Sequence, residues 1–574
     1  MKEELLALRR EMEKRGIDAY LVPTTDFHGS EYVNDYFKCR QYVSGFTGSA
    51  GTLLVTGDFA GLWTDGRYFL QAEKQLQGSG ISLMRINQPG VLSIREYLTE
   101  NLEPESTIAF DGRVVDADFG MSLETDYNIE YDMDLVGEIW KERPVLHGNE
   151  IYELPLEAVG ETAESKLKRL RLAMEEKGAD YHIITGLEEI AWLYNLRGSD
   201  VSHTPVFFAF ALISKDEDRL YTLHSAGRSI GDRDTLPYFQ FFEDIKELKQ
   251  GRLLLDMKKA SYTLVKSIPE EVKLLNDMDP VEAMKAVKNQ TELRCTENAH
   301  IKDGLAMVQF IFWLKNNVGK IDISEISAAD KLEALRRRQP GCFDLSFGTI
   351  PGYMENGAIV HYAPTADTNK RLRPEGLLLV DSGGQYEDGT TDITRTIALG
   401  SLTDEMRENY TTVLKSNLEL SMAEFEQGTT GAQLDEIARK PLKARGLDFN
   451  HGTGHGVGHI LSVHEGPNRI SPTGGDWPIL PGMITTDEPG VYKEGAYGIR
   501  LENELVCVEK EKDGALGFEP ITLCPFDRDA ILPEMLSKEE REYLNAYHEK
   551  VYRMLRDRLE PDARSWLREQ TEEL

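Results

Sequence analysis

Two aspartates flank the stretch LLLVDSGGQYEDGTTDITRT, residues 377–396. Asp381 closes an apolar run, and Asp392 opens a second, alternating run after Gly383, Gly384 and Gly389. Leu377–Val380 reads as a buried strand and Asp392–Ile397 as its hairpin partner. Buried Asp is rare unless it is paired or holds a metal. Two Asp facing each other on a hairpin could therefore grip a pair of cations. With 98 acidic residues in the chain, Asp pairs at this spacing are also common by chance. Turn-flanking Asp without a ligand is the plain alternative.

Four further clusters follow the same pattern of polar residues on short strands and turns. HYAP starts at His361. HGTGHGVGH spans His451–His459, with His464 after it in VHEGP. DEPG contains Glu488, and IRLEN contains Arg500 and Glu502. Singly, each has a structural reading: a flexible Gly-rich loop, a turn, an exposed residue on an alternating strand. Taken together, two Asp, one His and two Glu form an oxygen-rich set of five ligands. Such a set suits two hard or borderline divalent cations, Mn²⁺ first, with Co²⁺, Fe²⁺ or Zn²⁺ open. Glycines around His455 would let backbone approach such ions closely.

The elements that must position these residues are legible in outline. Leu5, Leu8 and Met12 share one face of a helix over 3–15 that Gly16 closes. The strands AYLVP, GTLLVT and GLWTD follow, with a helix expected over 68–77, which indicates an α/β domain. LRREMEKRGIDAYLV (8–22) then returns as LRLAMEEKGADYHII (170–184), so the α/β domain reads as duplicated, although a chance helix–Gly–strand likeness would look similar. Residues 145–160 read as a linker. Asn289 and Glu292 form a capping box ahead of a long helix, and Ser537 and Glu540 form another ahead of charged C-terminal helices.

At 574 residues the chain is long enough for three or four domains. Its formal charge of −33 argues against nucleic acid or an anionic membrane as partner. The five cysteines form no CxxC pair, as expected of free thiols in a reducing compartment. The charged N-terminus has no signal-peptide core, and the apolar run over 206–213 is too short to span a bilayer. The expectation is a soluble cytoplasmic protein.

At these motifs the chain resembles the aminopeptidase P group of the creatinase/methionine-aminopeptidase ("pita-bread") metallopeptidases, in its three-domain cytosolic form. LWTDGRYFLQA (62–72) and NLRGSDVSHTPVFF (195–208) carry the likeness in the first two domains. NGAIVHYAP, DSGGQYEDGTTDITRT, HGTGHGVGHILSVHEGP, DEPG and GIRLEN carry it in the third. The resemblance implies an α/β (α+β) fold with two creatinase-like α/β domains, 1–157 and 158–283, and a pita-bread catalytic domain, 284–574. It places the metal ligands on Asp381, Asp392, His455, Glu488 and Glu502, and the active-site histidines on His361, His451 and His464. His459 matches no family role and reads as a loop residue. Arg500 either shapes the site directly or clamps a ligand carboxylate. The short spacing between Glu488 and Glu502 is that of the three-domain aminopeptidases P.

The implied chemistry is hydrolysis of an Xaa-Pro bond at a peptide N-terminus, on two divalent metal ions per subunit. Glu488 would act as general base and proton shuttle, and His361 and His464 would donate to the scissile carbonyl or the tetrahedral intermediate. Implied partners are peptides with proline at position 2 and a second copy of the chain in a homodimer, with the two N-terminal domains narrowing the cleft. The rival readings are a prolidase that cleaves only X-Pro dipeptides and, with less support because all five ligands are retained, a non-catalytic peptide-binding module.

Overall fold

The computed structural model describes residues 2–224, 229–230, 233–511 and 514–574. Leu5, Leu8 and Met12 line the buried face of helix α1, Glu3–Arg15, and Leu167, Leu170 and Met174 do the same for α2, Ala163–Lys177. Both helices stop at a glycine in the left-handed region, Gly16 at φ 67° and Gly178 at φ 69°. A side chain there would be strained, which explains the shared glycine. Each buried aliphatic side chain contributes about 1.5–3 kcal/mol.

Each helix feeds a six-stranded sheet. The first contains β1 (Ala19–Pro23), β2 (Thr52–Thr56), β3 (Ala60–Thr64), β4 (Ser82–Arg85), β5 (Thr107–Phe110) and β6 (Asn128–Glu130), in the order β4-β3-β2-β1-β5-β6. The second contains β7 (Tyr181–Ile184), β8 (Ala209–Ser214), β9 (Asp218–Thr222), β10 (Leu236–Pro237), β11 (Gly251–Leu255) and β12 (Val272–Asn276), in the order β10-β9-β8-β7-β11-β12. In both sheets the first strand lies between an antiparallel second strand and a parallel fifth. The duplication read from 8–22 and 170–184 thus extends to the whole strand order. The helix expected over 68–77 is Phe69–Gln75.

The chain divides into two compact units. Unit 1 holds 1–156 and 161–282, and unit 2 holds 157–160 and 283–574. The stretch over 145–160 is more ordered than a linker: Tyr152–Glu153 pairs with Leu196–Arg197 in unit 1, and 157–160 packs in unit 2.

Unit 2 opens with α3, Gln290–Asn317. The Asn289 side chain accepts from the Thr291 and Glu292 amides, and Glu292 accepts from the Asn289 amide, so the capping box is formed. Helix α4, Glu325–Arg336, follows. A three-stranded sheet has the order β13-β14-β17, with β13 at Ile350–Tyr353, β14 at Leu377–Ser382 and β17 at Ile393–Ala398. The intervening β15 (Gly384–Tyr386) and β16 (Gly389–Thr390) form the tip of the β14–β17 hairpin. Helices α5 (Asp404–Ser421) and α6 (Gly431–Lys443) come next.

A six-stranded sheet then runs β18-β25-β24-β21-β19-β20. Its strands are β18 (Glu424–Phe425), β19 (Gly454–Gly456), β20 (Glu465–Ile470), β21 (Ile484–Asp487), β24 (Asn503–Glu509) and β25 (Leu516–Pro520). The hairpin β22 (Gly490–Lys493) to β23 (Tyr497–Arg500) stands between β21 and β24. The C-terminal helices α7 (Lys538–Leu555) and α8 (Pro561–Gln570) bury Leu544, Val551, Leu555 and Leu567 in the same core as Tyr410 and Leu414 of α5. Ser537 and Glu540 cap α7 as expected. Among the described residues no helix is long and apolar enough to cross a membrane. All five cysteines are free thiols.

Candidate metal centre

The β14–β17 hairpin brings the two aspartates together. Asp381 sits opposite Thr394 in the ladder, and Asp392 directly precedes β17. His455 is the middle residue of β19, next to β21, whose end leads into Glu488. The β22–β23 hairpin fills the interval between Glu488 and Glu502, which leads into β24. The short spacing seen in the sequence is therefore one tight hairpin with no further insertion.

Asp392, His455 and Glu502 each present a ligand atom, all within 4.8 Å of one another. His455 Nε2 lies 3.6 Å from Asp392 Oδ2 and 3.7 Å from Glu488 Oε1. His451 Nδ1 lies 3.9 Å from Glu488 Oε2, and its Nε2 is 2.7 Å from the Tyr492 hydroxyl. The His464 ring stands edge-on to His455, with centroids 4.4 Å apart. Glu465, next to His464, is buried between Lys285 at 3.1 Å and Lys288. His361 lies on the turn after β13, and the carbonyl of its neighbour Val360 accepts from Arg500 Nη2 at 3.3 Å.

Asp381 joins the group through Arg500. The buried Arg500 donates from Nη2 to Asp381 Oδ2 at 2.6 Å and from Nη1 to the Tyr492 hydroxyl at 2.8 Å. Thr394 donates its hydroxyl to Glu502 Oε2 at 2.7 Å. Arg500 thus clamps the Asp381 carboxylate.

The electrostatics test whether cations fit. Burial, then the charges of Glu502, Asp381 and Glu488, push the Asp392 carboxyl well above the usual carboxylate range. Glu502 is pushed up by burial and by Asp381 and Glu488, against the opposing pull of Thr394 and Arg500. Asp381 Oδ1 and Asp392 Oδ1 are buried without a hydrogen-bond partner among the described residues. Such atoms ordinarily find a donor. Oxygen donors that repel one another, with unused lone pairs and one imidazole, are what a divalent pair would satisfy.

Sequence reasoning missed the residues beneath this group. Glu504, fully buried on β24, accepts the Asp392 amide at 2.6 Å, and its other oxygen lies 3.2 Å from His300 of α3. The signal was present: Glu502 and Glu504 are two apart, so an extended chain turns both to one side. His459 is in an irregular segment, as expected, yet it is buried. Its ring bridges Thr296 Oγ1 at 3.0 Å and the Ala158 carbonyl at 2.9 Å.

Comparison with known proteins accounts for the whole chain. Residues 294–509 match the model of metallopeptidase family M24, and 514–574 match the C-terminal region of peptidase M24. Residues 5–145 and 142–292 each match a creatinase/prolidase N-terminal domain. The probable Xaa-Pro aminopeptidase P of Laccaria bicolor is 38% identical over 99% of this chain and 92% of its own. The chain belongs to the aminopeptidase P group of the M24 metallopeptidases. Aminopeptidase P1 of Arabidopsis thaliana is 36% identical, over 100% of this chain and 99% of its own. The X-prolyl aminopeptidase of Caenorhabditis elegans, described as a cytosolic enzyme with a di-nuclear active site, superposes with a TM-score of 0.95 at 33% identity, covering 100% of this chain and 99% of that one. The Pyrococcus furiosus prolidase reaches 0.50 at 27% identity, and covers 61% of this chain and 98% of its own. The fold is thus two creatinase-type α/β domains followed by a pita-bread domain.

Proposed function

We propose that this chain is a dinuclear-metal aminopeptidase that hydrolyses the bond between an N-terminal residue and a following proline. One observation carries the reading: Asp392, His455 and Glu502 converge, with buried oxygens of Asp381 and Asp392 lacking a donor among the described residues. In this reading Asp381, Asp392, His455, Glu488 and Glu502 hold two divalent cations, Mn²⁺ first. When bound, the ions supply Lewis acidity toward a carbonyl and toward water.

The chain's own residues do the rest. Arg500 fixes one Asp381 oxygen, leaving Oδ1 free to ligate. Glu488, 18% exposed at its side chain, is the carboxylate with access to substrate, and it takes a proton from the attacking water and returns it to the departing proline nitrogen. His451 spends Nδ1 on the Gly452 carbonyl at 2.7 Å and Nε2 on the Tyr492 hydroxyl, and these two bonds hold its ring 3.9 Å from the Glu488 carboxylate. His361 and His464 donate to the oxygen that gains charge, a contribution worth ~10²–10³-fold in kcat. An Xaa-Pro bond lacks an N–H, so recognition rests on the free amine and the ring.

Domains at 1–157, 158–283 and 284–574, a cytoplasmic location and a homodimer complete the proposal. Relatives matched along 92% and 99% of their own lengths carry the aminopeptidase name, which favours it over the prolidase alternative. Metal analysis with hydrolysis of Ala-Pro-Ala and Ala-Pro, before and after chelation and Mn²⁺ return, tests it. Tripeptide cleavage lost with the metal and restored by it is expected. Turnover of Ala-Pro alone would favour a prolidase, and undiminished activity after chelation would overturn the metal reading.

A further inference from the structure

A cleft of about 370 Å³ opens in unit 1 at the carboxyl ends of β1 and β5. It lies within the size range of small-molecule sites, about 300–1,000 Å³. These two strands are parallel neighbours, and the chain leaves β1 toward β2 on one side and β5 toward β6 on the other. Open α/β sheets take ligands at this reversal of strand order.

Leu21, Phe27, Val115 and Phe119 give the cleft apolar walls. Asp26 lies in its lining and is 1% exposed. Its Oδ1 accepts the amides of His28 at 2.8 Å and Ser30 at 3.0 Å, whereas Oδ2 is buried with no partner among the described residues. Leaving such an oxygen unsatisfied is unfavourable, more so for a charged group.

The opposite charge is also present. Arg113 uses Nε and Nη2 on Asp111, at 2.9 and 2.8 Å, and its guanidinium stands 4.8 Å from the Phe27 ring centroid. Its Nη1 makes no hydrogen bond among the described residues. Exposed Lys258 also lines the cleft, and its ammonium makes no ion pair among them. An acceptor short of a donor, two cations with donors to spare and apolar walls together complement a small zwitterion.

We propose that this cleft binds a free amino acid or dipeptide with an apolar side chain, its ammonium on Asp26 and its carboxylate between Arg113 and Lys258. The inference does not rest on the peptidase reading of unit 2. Isothermal titration of the full chain with leucine, Leu-Leu, N-acetyl-leucine and leucinamide tests it. Saturable binding of leucine or Leu-Leu is expected, and which of the two binds identifies the ligand's size. Capping either charge should weaken binding at least about tenfold, about 1.4 kcal/mol. Asp26→Asn keeps an oxygen for the His28 and Ser30 amides, and Lys258→Met changes only an exposed side chain; each should weaken binding about tenfold. Asp392→Asn should leave it unchanged. Absence of saturable binding, equal affinity for capped ligands, or indifference to both cleft variants would overturn the proposal. Loss of binding in Asp392→Asn would do so too, by assigning the heat to unit 2.

Discussion

Unit 1 and unit 2 each set a histidine against a buried aspartate, and the two pairs differ in how far their polar atoms are satisfied. In unit 1, His182 Nδ1 lies 3.0 Å from the Leu254 carbonyl and Nε2 3.0 Å from Asp279 Oδ1, which also accepts the Val281 amide at 2.8 Å. Burial pulls the His182 pKa down, but Asp279 and the two hydrogen bonds outweigh it, so the net shift is upward. In unit 2, His455 faces Asp392 at 3.6 Å across a crowd of carboxylates, two of them with idle buried oxygens. A buried charge with its partners complete stabilises one conformation. One with partners missing marks a place for something else to bind. Burial alone does not separate the two; the count of satisfied atoms does.

The sharpest way to break this contrast is Asp392→Asn. Turnover is expected to fall on the order of 10³-fold, about 4 kcal/mol, with bound metal reduced and circular dichroism unchanged. Full activity would mean the open cluster is as structural as the closed pair. The converse substitution, His182→Phe, strands a buried Asp279 and is expected to cost about 3 kcal/mol in urea unfolding, with no change in metal content or in kcat of the folded fraction. A kcat loss there would erase the distinction between the pairs.

His548 of α7 adds a third case. It accepts the Phe526 amide at 3.2 Å, and burial, with Arg395 and Arg528 nearby, pulls its pKa down to about 3. The unfolded chain takes up this proton near pH 6.5 and the folded chain does not, so the unfolded state binds more protons between those values. The stability is full above about pH 6.5 and is lost as the pH falls toward 3. At pH 5 the loss amounts to about 2 kcal/mol. Chemical denaturation at pH 7 and pH 5 should show it in the parent and not in His548→Phe. The smallest effect is expected of Glu504→Gln, which keeps an oxygen for the Asp392 amide but removes the charge facing His300. Metal affinity should weaken about tenfold, as read by equilibrium dialysis, and unchanged affinity would confine Glu504 to folding.

Local rules made much of this readable. The capping boxes at Asn289 and Ser537, the glycine stops of α1 and α2, and the β14–β17 hairpin are each set by residues a few positions apart. The repeat at 8–22 and 170–184 announced two sheets of one strand order. Helices α5 and α6 escaped notice because the Gly-rich strands around them dominate the pattern, although Met406, Tyr410, Val413 and Leu414 fall at helical spacing. Partners far apart in the chain were out of reach from one sequence. Arg500 lies 119 residues from Asp381, and His459 lies 301 from Ala158. Nothing local tells a histidine enclosed among neutral groups from one set among carboxylates. The family resemblance, not periodicity, separated His455 from His459.

The four residues at 157–160 lie in unit 2, while the chain on either side of them lies in unit 1. There the Ala158 carbonyl meets His459, the Val159 carbonyl accepts from Asn289 at the start of α3, and the Glu157 carbonyl accepts from Cys295. The backbone therefore passes between the units three times, like a thread drawn through cloth and back. A fragment beginning at residue 283 forfeits all three carbonyls, at the loop of His459 and at the head of its first long helix. Trimming this protein to its metal-binding portion means carrying that short loop of thread along, or replacing what it does.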